Sequence, residues 1–158
     1  FYVGQWKGTY KLPQSPTPDA FRDLAEGHKV LRHVQANRVG CYDLTFTFHK
    51  SVSILAYGLT PPDKQHQWTK VFVDVTRPGV EKLLTGLQVS AGAGGKRAAA
   101  QGVGVGFAHR QSWLGDPHAH VHYAIPNVAV TPDGEQKSIR NARVFFDAQA
   151  AERARAQK

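Results

Sequence analysis

Phe107-Ala108-His109-Arg110-Gln111, then Ser112-Trp113-Leu114-Gly115-Asp116-Pro117, then His118-Ala119-His120-Val121-His122, is the stretch on which the reading of this chain turns. Residues 103–111 and 118–129 are patterned as two strands, and the Trp113–Pro117 segment marks a tight connection centred near residue 115. Strands joined this closely form an antiparallel hairpin. Side chains two apart on a strand leave the same face, so His118, His120 and His122 project together. The hairpin sets His109 almost opposite His120 and diagonal to His122, within cross-strand reach. Four of the eight histidines in the chain fall in this stretch.

Spacing selects which of them can share an ion. At ~3.3 Å per residue, His118 and His122 lie ~13 Å apart along the strand. Metal–nitrogen bonds of ~2.1 Å leave little room to bridge that span. His109, His120 and His122 make the compact facial set, with coordination positions left open for a substrate oxygen. His118 is then left to support a ligand from outside or to touch a phosphate. A His-x-His pair alone on an edge strand is usually solvated surface; the third imidazole, and a carboxylate on another polar strand face, favour the metal reading. That carboxylate is Asp43. Tyr42, Leu44, Phe46 and Phe48 alternate with Cys41, Asp43, Thr45, Thr47 and His49, which predicts a strand with one apolar and one polar face. Metal-ligating imidazoles commonly donate their other N–H to such an acid.

The rest of the chain predicts an α+β architecture, a central antiparallel sheet with packed helices. Residues 1–18 are irregular, punctuated by Gly4, Gly8, Pro13, Pro16 and Pro18, with Trp6 as an anchor. Thr17 as N-cap and Pro18 at the first helical position open a helix that turns Phe21 and Leu24 inward and stops near Gly27. Lys50-Ser51-Val52-Ser53 leads into a short helix that Gly58 ends. Pro61-Pro62-Asp63 begins another, with Trp68, Val71, Phe72 and Val75 on one side. Arg77-Pro78-Gly79 is expected to break or kink it before a last apolar piece through Leu83, Leu84 and Leu87. Residues 90–102 read as a flexible basic loop. This loop is no phosphate-binding P-loop, since Ser90 stands in place of the first glycine and Arg97 follows the lysine. Thr131-Pro132-Asp133-Gly134 is a turn, residues 136–139 a short strand, and an alanine-rich helix begins at Phe145.

The chain's 158 residues fit one domain, and its net charge of +8 favours an anionic partner, nucleic acid ahead of an acidic membrane surface. No apolar run approaches the ~18 residues that would cross a bilayer. The single cysteine, Cys41, allows no internal disulfide and suits a reducing interior. A chain that opens on Phe1-Tyr2 and contains no methionine reads as a fragment or a processed product.

Two blocks carry a family resemblance. Gly40-Cys-Tyr-Asp43-Leu-Thr-Phe46 followed by Lys50-Ser-Val-Ser53 resembles the G-x-D-L-T-F-x-x-P-K-S-V-S segment of TrwC-like (MobF) conjugative relaxases. Phe107-Ala-His109-Arg110 followed by Gly115-Asp-Pro-His118-Ala-His120-Val-His122 resembles their F-x-H-R…D-P-x-x-H-x-H metal motif. Trp6-Lys-Gly8, the Phe21–Gly27 segment, Asn127 and the Asp133-Gly134 turn leading to Phe145–Gln149 add to it. His49 replaces the family's proline before Lys50.

The resemblance implies the HUH endonuclease fold and metal-dependent, site- and strand-specific nicking of single-stranded or hairpin-extruded DNA at an origin of transfer. In that family a tyrosine near the N-terminus attacks the phosphate and becomes linked to the 5′ end. Only Tyr2 stands in that position here, without the family's preceding strand, and it is the candidate nucleophile. The resemblance makes Asp43 a catalytic residue that orients an imidazole and helps take the nucleophile's proton. It makes Lys50, Arg110, His118, Lys96 and Arg97 DNA contacts. The expected cofactor is a divalent ion, Mg or Mn in cells, with Zn, Co or Ni able to serve in vitro. Expected partners are origin DNA, a fused helicase after Lys158 and accessory relaxosome proteins, without a membrane, in the bacterial cytoplasm. A rolling-circle replication initiator, a transposase of the same superfamily, a cupin-like iron oxygenase and a non-catalytic DNA-binding module are the competing readings.

Overall fold

A computed structural model describes residues 1–4, 15–27, 38–91 and 95–147. Trp6, Gly8, Tyr10, Pro13 and the basic C-terminal segment lie outside the described residues. In chain order the elements are β1 (Tyr2–Val3), α1 (Pro18–Glu26), β2 (Cys41–Thr47), α2 (Lys50–Ser53), a π-helical turn (Ile54–Leu59), a 3-10 turn (Pro62–Lys64), α3 (Gln65–Thr85), β3 (Leu87–Ser90), β4 (Arg97–Gly102), β5 (Gly104–Gln111), β6 (Pro117–Pro126), β7 (Ala129–Val130) and β8 (Gln136–Lys137). The strands form two antiparallel sheets, ordered β1-β5-β6-β2 and β3-β4-β7-β8. This is the expected α+β architecture.

The first sheet is read from its alternation. Leu44, Val121, Tyr123 and Ile125 are at most 1% exposed and share a core with Phe72, Val80 and Leu84 of α3. Tyr123 is the largest of these side chains, and its hydroxyl is satisfied inside the core by Thr76 Oγ1 at 2.7 Å. A buried phenol without such a partner would be costly. At the sheet's edge, Phe1 and Gly106 exchange backbone hydrogen bonds, Gly106 N–H donating at 2.8 Å and the Phe1 amino group at 3.3 Å. A side chain at residue 106 would fall inside the Phe1 ring, which meets Tyr123 edge to face with centroids 5.9 Å apart.

Helix α1 is built as expected: Thr17 Oγ1 accepts from Ala20 N–H, Pro18 opens the helix, and Gly27 closes it in the left-handed region at φ 74°. Its Leu24 packs with Val103, Val130 and Tyr2. Arg38 donates to the carbonyls of Ala25 at 2.7 Å and Asn127 at 2.6 Å, and so ties the end of α1 to the end of β6. Asn127 itself donates to Val39 O and accepts from Ile139 N–H.

Five expectations are corrected. Helix α3 runs unbroken through Pro78. Pro78 lies on the exposed side, where the carbonyl it leaves unpaired can be hydrated. Burial of Val80 and Leu84, both 0% exposed, contributes roughly 1.5–3 kcal/mol each against the ~3 kcal/mol that an interior proline costs. The buried stripe is Phe72, Thr76, Val80 and Leu84, whereas Val71 and Val75 are 47% and 66% exposed. Residues 90–102 are not simply a loop: β3 and β4 pair from Leu87↔Ala100 to Ser90↔Arg97. Leu87 belongs to that strand rather than to the helix. Alanines and glycine conceal this strand from propensity, yet they are what fits, because a Cβ on Gly102 would meet Leu87 Cδ1 at 2.6 Å and Leu84 Cδ2 at 3.1 Å. Finally, Gly58 does not end the short helix, which continues as the π-helical turn to Leu59.

Candidate metal centre

Register assembles the polar face of the first sheet in three rows. Tyr2, Val105, Ala124 and Asp43 form one row across β1, β5, β6 and β2; Phe107, His122 and Thr45 form the next; His109, His120 and Thr47 the third. Directly opposed residues present their side chains to one face, so the histidines and the acid share a surface by pairing alone. His109 stands directly opposite His120, as the hairpin requires.

The three rings form a near-equilateral triangle. Their centroids lie 5.0 Å apart for His109–His120, 5.3 Å for His109–His122 and 5.1 Å for His120–His122. Three imidazoles on one ion, each bound at about 2.1 Å, have ring centres roughly 5 Å apart. The spacing therefore fits. The ring orientation does not yet: His109 and His120 are stacked, 19° between planes. Among the described residues no group of three or more His, Cys, Asp or Glu side chains is drawn tightly enough around one point to hold an ion as it stands. Ligation would require the rings to turn so that their nitrogens converge.

The donor chemistry also fits. His122 Nδ1 lies 2.9 and 3.1 Å from the two carboxylate oxygens of Asp43. Thr45 Oγ1 sits 3.0 Å from the same nitrogen. His120 Nδ1 faces the His118 carbonyl at 3.0 Å. With Nδ1–H donating in both rings, Nε2 carries the lone pair that a metal needs. Burial holds His120 below the ordinary imidazole range, only partly opposed by its bond to the His118 carbonyl and reinforced by the neighbouring rings of His118, His122 and His109. Each of these causes except the bond to the His118 carbonyl favours the neutral form, the form that ligates.

The remaining sequence-derived candidates are not all brought here. His118 is adjacent, its ring 4.9 Å from that of His120. Lys50 is no free cation: it pairs with the Asp116 carboxylate and donates to Pro117 O at 2.8 Å. Arg110 follows His109 on the alternate side of β5, with its guanidinium over the Tyr57 ring at 5.8 Å. Lys96 and Arg97 lie at the start of β4 in the other sheet, where Arg97 meets Gln88. Tyr2 shares the face but not the cluster, for it packs with Leu24, Val103 and Val130. Burial raises its phenol above the usual range. Val105 and Ala124 stand between Tyr2 and Asp43 in their row, and the Asp43 carboxylate faces His122. Cys41 is inert: burial pushes its thiol up to about 11.

Sequence reasoning missed three positioning residues. Ser53, fully buried, accepts from Ala119 N–H at 3.0 Å, and Phe48 N–H donates to Ala119 O. Lys50 and Ser53 thus fix the beginning of β6 on which His118 and His120 sit. Asp116 receives Lys50 and closes the turn with Ser112. The signal for Asp116 was its place in the Gly-Asp-Pro turn, and for Thr45 its place two residues from Asp43.

No curated protein sequence matches the chain significantly. Solved structures do. A conjugative relaxase TrwC in complex with oriT DNA, metal-free, superposes with a TM-score of 0.72 at 21% identity, covering 98% of this chain and 61% of that one. The copper-bound complex with oriT DNA gives 0.73 at 22% identity over 99% and 58%. TrwC with a 27-mer DNA comprising the recognition hairpin and the cleavage site gives 0.72 at 21% over 98% and 61%. At such identities the likeness is one of fold, and the chain spans about three fifths of those chains. Among the described residues no helix is long and apolar enough to cross a membrane. The model of the TrwC relaxase family matches residues 3–158, nearly the whole sequence, and the chain belongs to that family.

Proposed function

We propose that this chain is the DNA-nicking part of a conjugative relaxase, acting on single-stranded or hairpin-bearing origin DNA in the bacterial cytoplasm. The observation that carries the reading is the triangle of His109, His120 and His122, backed by Asp43, on an open sheet face of a TrwC-family chain. These three imidazoles would hold a divalent ion, Mg or Mn in cells, and when bound it supplies charge neutralisation at the scissile phosphate's non-bridging oxygens. Asp43 and Thr45 fix the His122 tautomer. A tyrosine phenolate forms the new bond to phosphorus, the bond from phosphorus to the 3′ oxygen breaks, and that oxygen takes a proton to leave as a hydroxyl. The product is a 5′-phosphotyrosine that a later hydroxyl can reverse. Tyr2 is the candidate nucleophile on grounds of its face and position; its packing beneath Leu24 must open for it to serve. A relaxase of this kind would work with a helicase region and relaxosome proteins.

Incubation with manganese and a single-stranded oligonucleotide carrying the origin hairpin and cleavage site is expected to yield an SDS-stable adduct, its tyrosine identified by peptide mass. No adduct from the full-length protein would overturn the nicking reading. An adduct on another tyrosine would remove Tyr2 alone.

A further inference from the structure

The turn between β5 and β6 ends in two large apolar side chains that no described residue covers: Trp113 is 101% exposed and Leu114 91%. Scattered exposed apolar residues need no explanation, but a fully exposed indole on a braced turn is a different matter. Ser112 N–H donates to Asp116 O at 2.9 Å, Gly115 N–H to Ser112 O at 3.0 Å, and Leu114 N–H to Ser112 Oγ at 3.1 Å. Gly115 takes φ 84°, a conformation that glycine adopts freely. Asp116 is held on one side by Ser112 and on the other by Lys50. The backbone under Trp113 is therefore fixed in advance, and the cost of ordering it is already met in the free protein.

Position gives the turn its meaning. Gln111↔Pro117 closes the hairpin immediately before the turn, and His109↔His120 is the preceding pair. At ~3.3 Å per residue Trp113, four residues past His109, stands at most about 13 Å from it along the chain, the span of a few nucleotides. On the other side of His109, Phe107, 46% exposed, occupies the row of His122. Phe107 on β5 and Trp113 in the turn after it thus flank His109 in the sequence, both exposed. The one acid of the turn, Asp116, is neutralised by Lys50, so nothing there repels an anionic chain, and the net charge of +8 attracts one.

We propose that Trp113 is a stacking platform for a base of single-stranded DNA, holding the strand beside the histidine face. This inference rests on the nicking reading of that face. The occupant is a single strand because its bases are unpaired and every base offers a π-face, which makes such stacking tolerant of sequence. In duplex DNA those faces are already covered.

The test uses the full chain, EDTA and a fluorescein-labelled oligothymidylate, with a labelled duplex as the comparator. Trp113→Ala is expected to weaken oligothymidylate binding about 5- to 100-fold, the range set by base–aromatic stacking. Trp113→Phe should restore most of it, and duplex affinity and manganese uptake should stay at wild-type levels. Binding should quench the part of the indole fluorescence that Trp113→Ala removes. Unchanged oligothymidylate affinity in Trp113→Ala, with the wild type binding well, overturns the proposal and leaves the nicking reading intact. A wild-type dimer dissolved by Trp113→Ala at constant DNA affinity overturns it in favour of a contact between copies. Failure of the wild type to bind oligothymidylate at all overturns the stacking proposal, while the nicking reading stands or falls on the adduct with origin DNA.

Discussion

The two faces of the β1-β5-β6-β2 sheet are made by alternate residues of the same strands, yet they are built to different ends. Toward α3 the strands turn Leu44, Val121, Tyr123 and Ile125, each at most 1% exposed and closed around one another. Toward the other side they turn Asp43, Thr45, His109, His120 and His122, partly or largely exposed. The first face supplies the free energy that holds the strands in register. The second spends register on placing imidazoles, and contributes little to stability itself. A step of one residue along β2 or β6 crosses from one regime to the other, so substitutions at neighbouring positions should fail in different ways.

The largest expected effect tests the polar face. His120→Ala should abolish manganese uptake and lower nicking on the order of a thousandfold, the several kcal/mol of charge stabilisation that a bound ion supplies. Its metal-free unfolding free energy in urea should stay within about 0.5 kcal/mol of wild type, as is usual for substitutions outside the core. Cleavage at wild-type rate would remove the metal assignment; a large loss of stability would erase the division between the faces. The core face gives the converse. Leu44→Ala, one residue from Asp43, should lose about 2–5 kcal/mol in urea unfolding, while the folded protein keeps wild-type manganese affinity by equilibrium dialysis. A selective loss of affinity there would show that core packing sets ring geometry. Smaller, and confined to the polar face, is Asp43→Asn, which keeps the shape but loses the charge behind His122. Manganese affinity should fall about 10- to 100-fold with the fold unchanged. No change would assign the orientation of His122 to Thr45 alone.

How much of this was legible in the sequence follows from the same alternation. The hairpin pairing of His109 with His120, the two-faced β2 and the capped α1 were all readable, because each rests on a local rule: period two, a tight turn, Thr-Pro before an amphipathic run. The β3–β4 pairing was not. Its strands carry Ala98, Ala99, Ala100 and Gly102, weak strand formers, and the value of Gly102 lies in the room it gives Leu84 and Leu87, a fit that exists only once the helix is packed. Pro78 misled for a related reason: its effect depends on which side of α3 faces water. At the site, spacing gathered the imidazoles, but it could not reveal that Lys50 is spent on Asp116 or that Tyr2 lies under α1. Both are consequences of contacts between segments far apart in the chain, with no local signature.

One small feature reaches further than its size. Gly106 has no side chain where the Phe1 ring rests, and the two residues are 105 positions apart. A gap of this kind acts as an indexing notch, admitting one ring at one place and so setting which residue of β1 sits beside which residue of β5. Since a slip of one residue exchanges the faces of a strand, the notch decides that Tyr2 lies on the histidine-bearing face of the sheet, under α1, instead of on the opposite face. The orientation of the candidate nucleophile is thus specified on a distant strand, by an atom group that is not there.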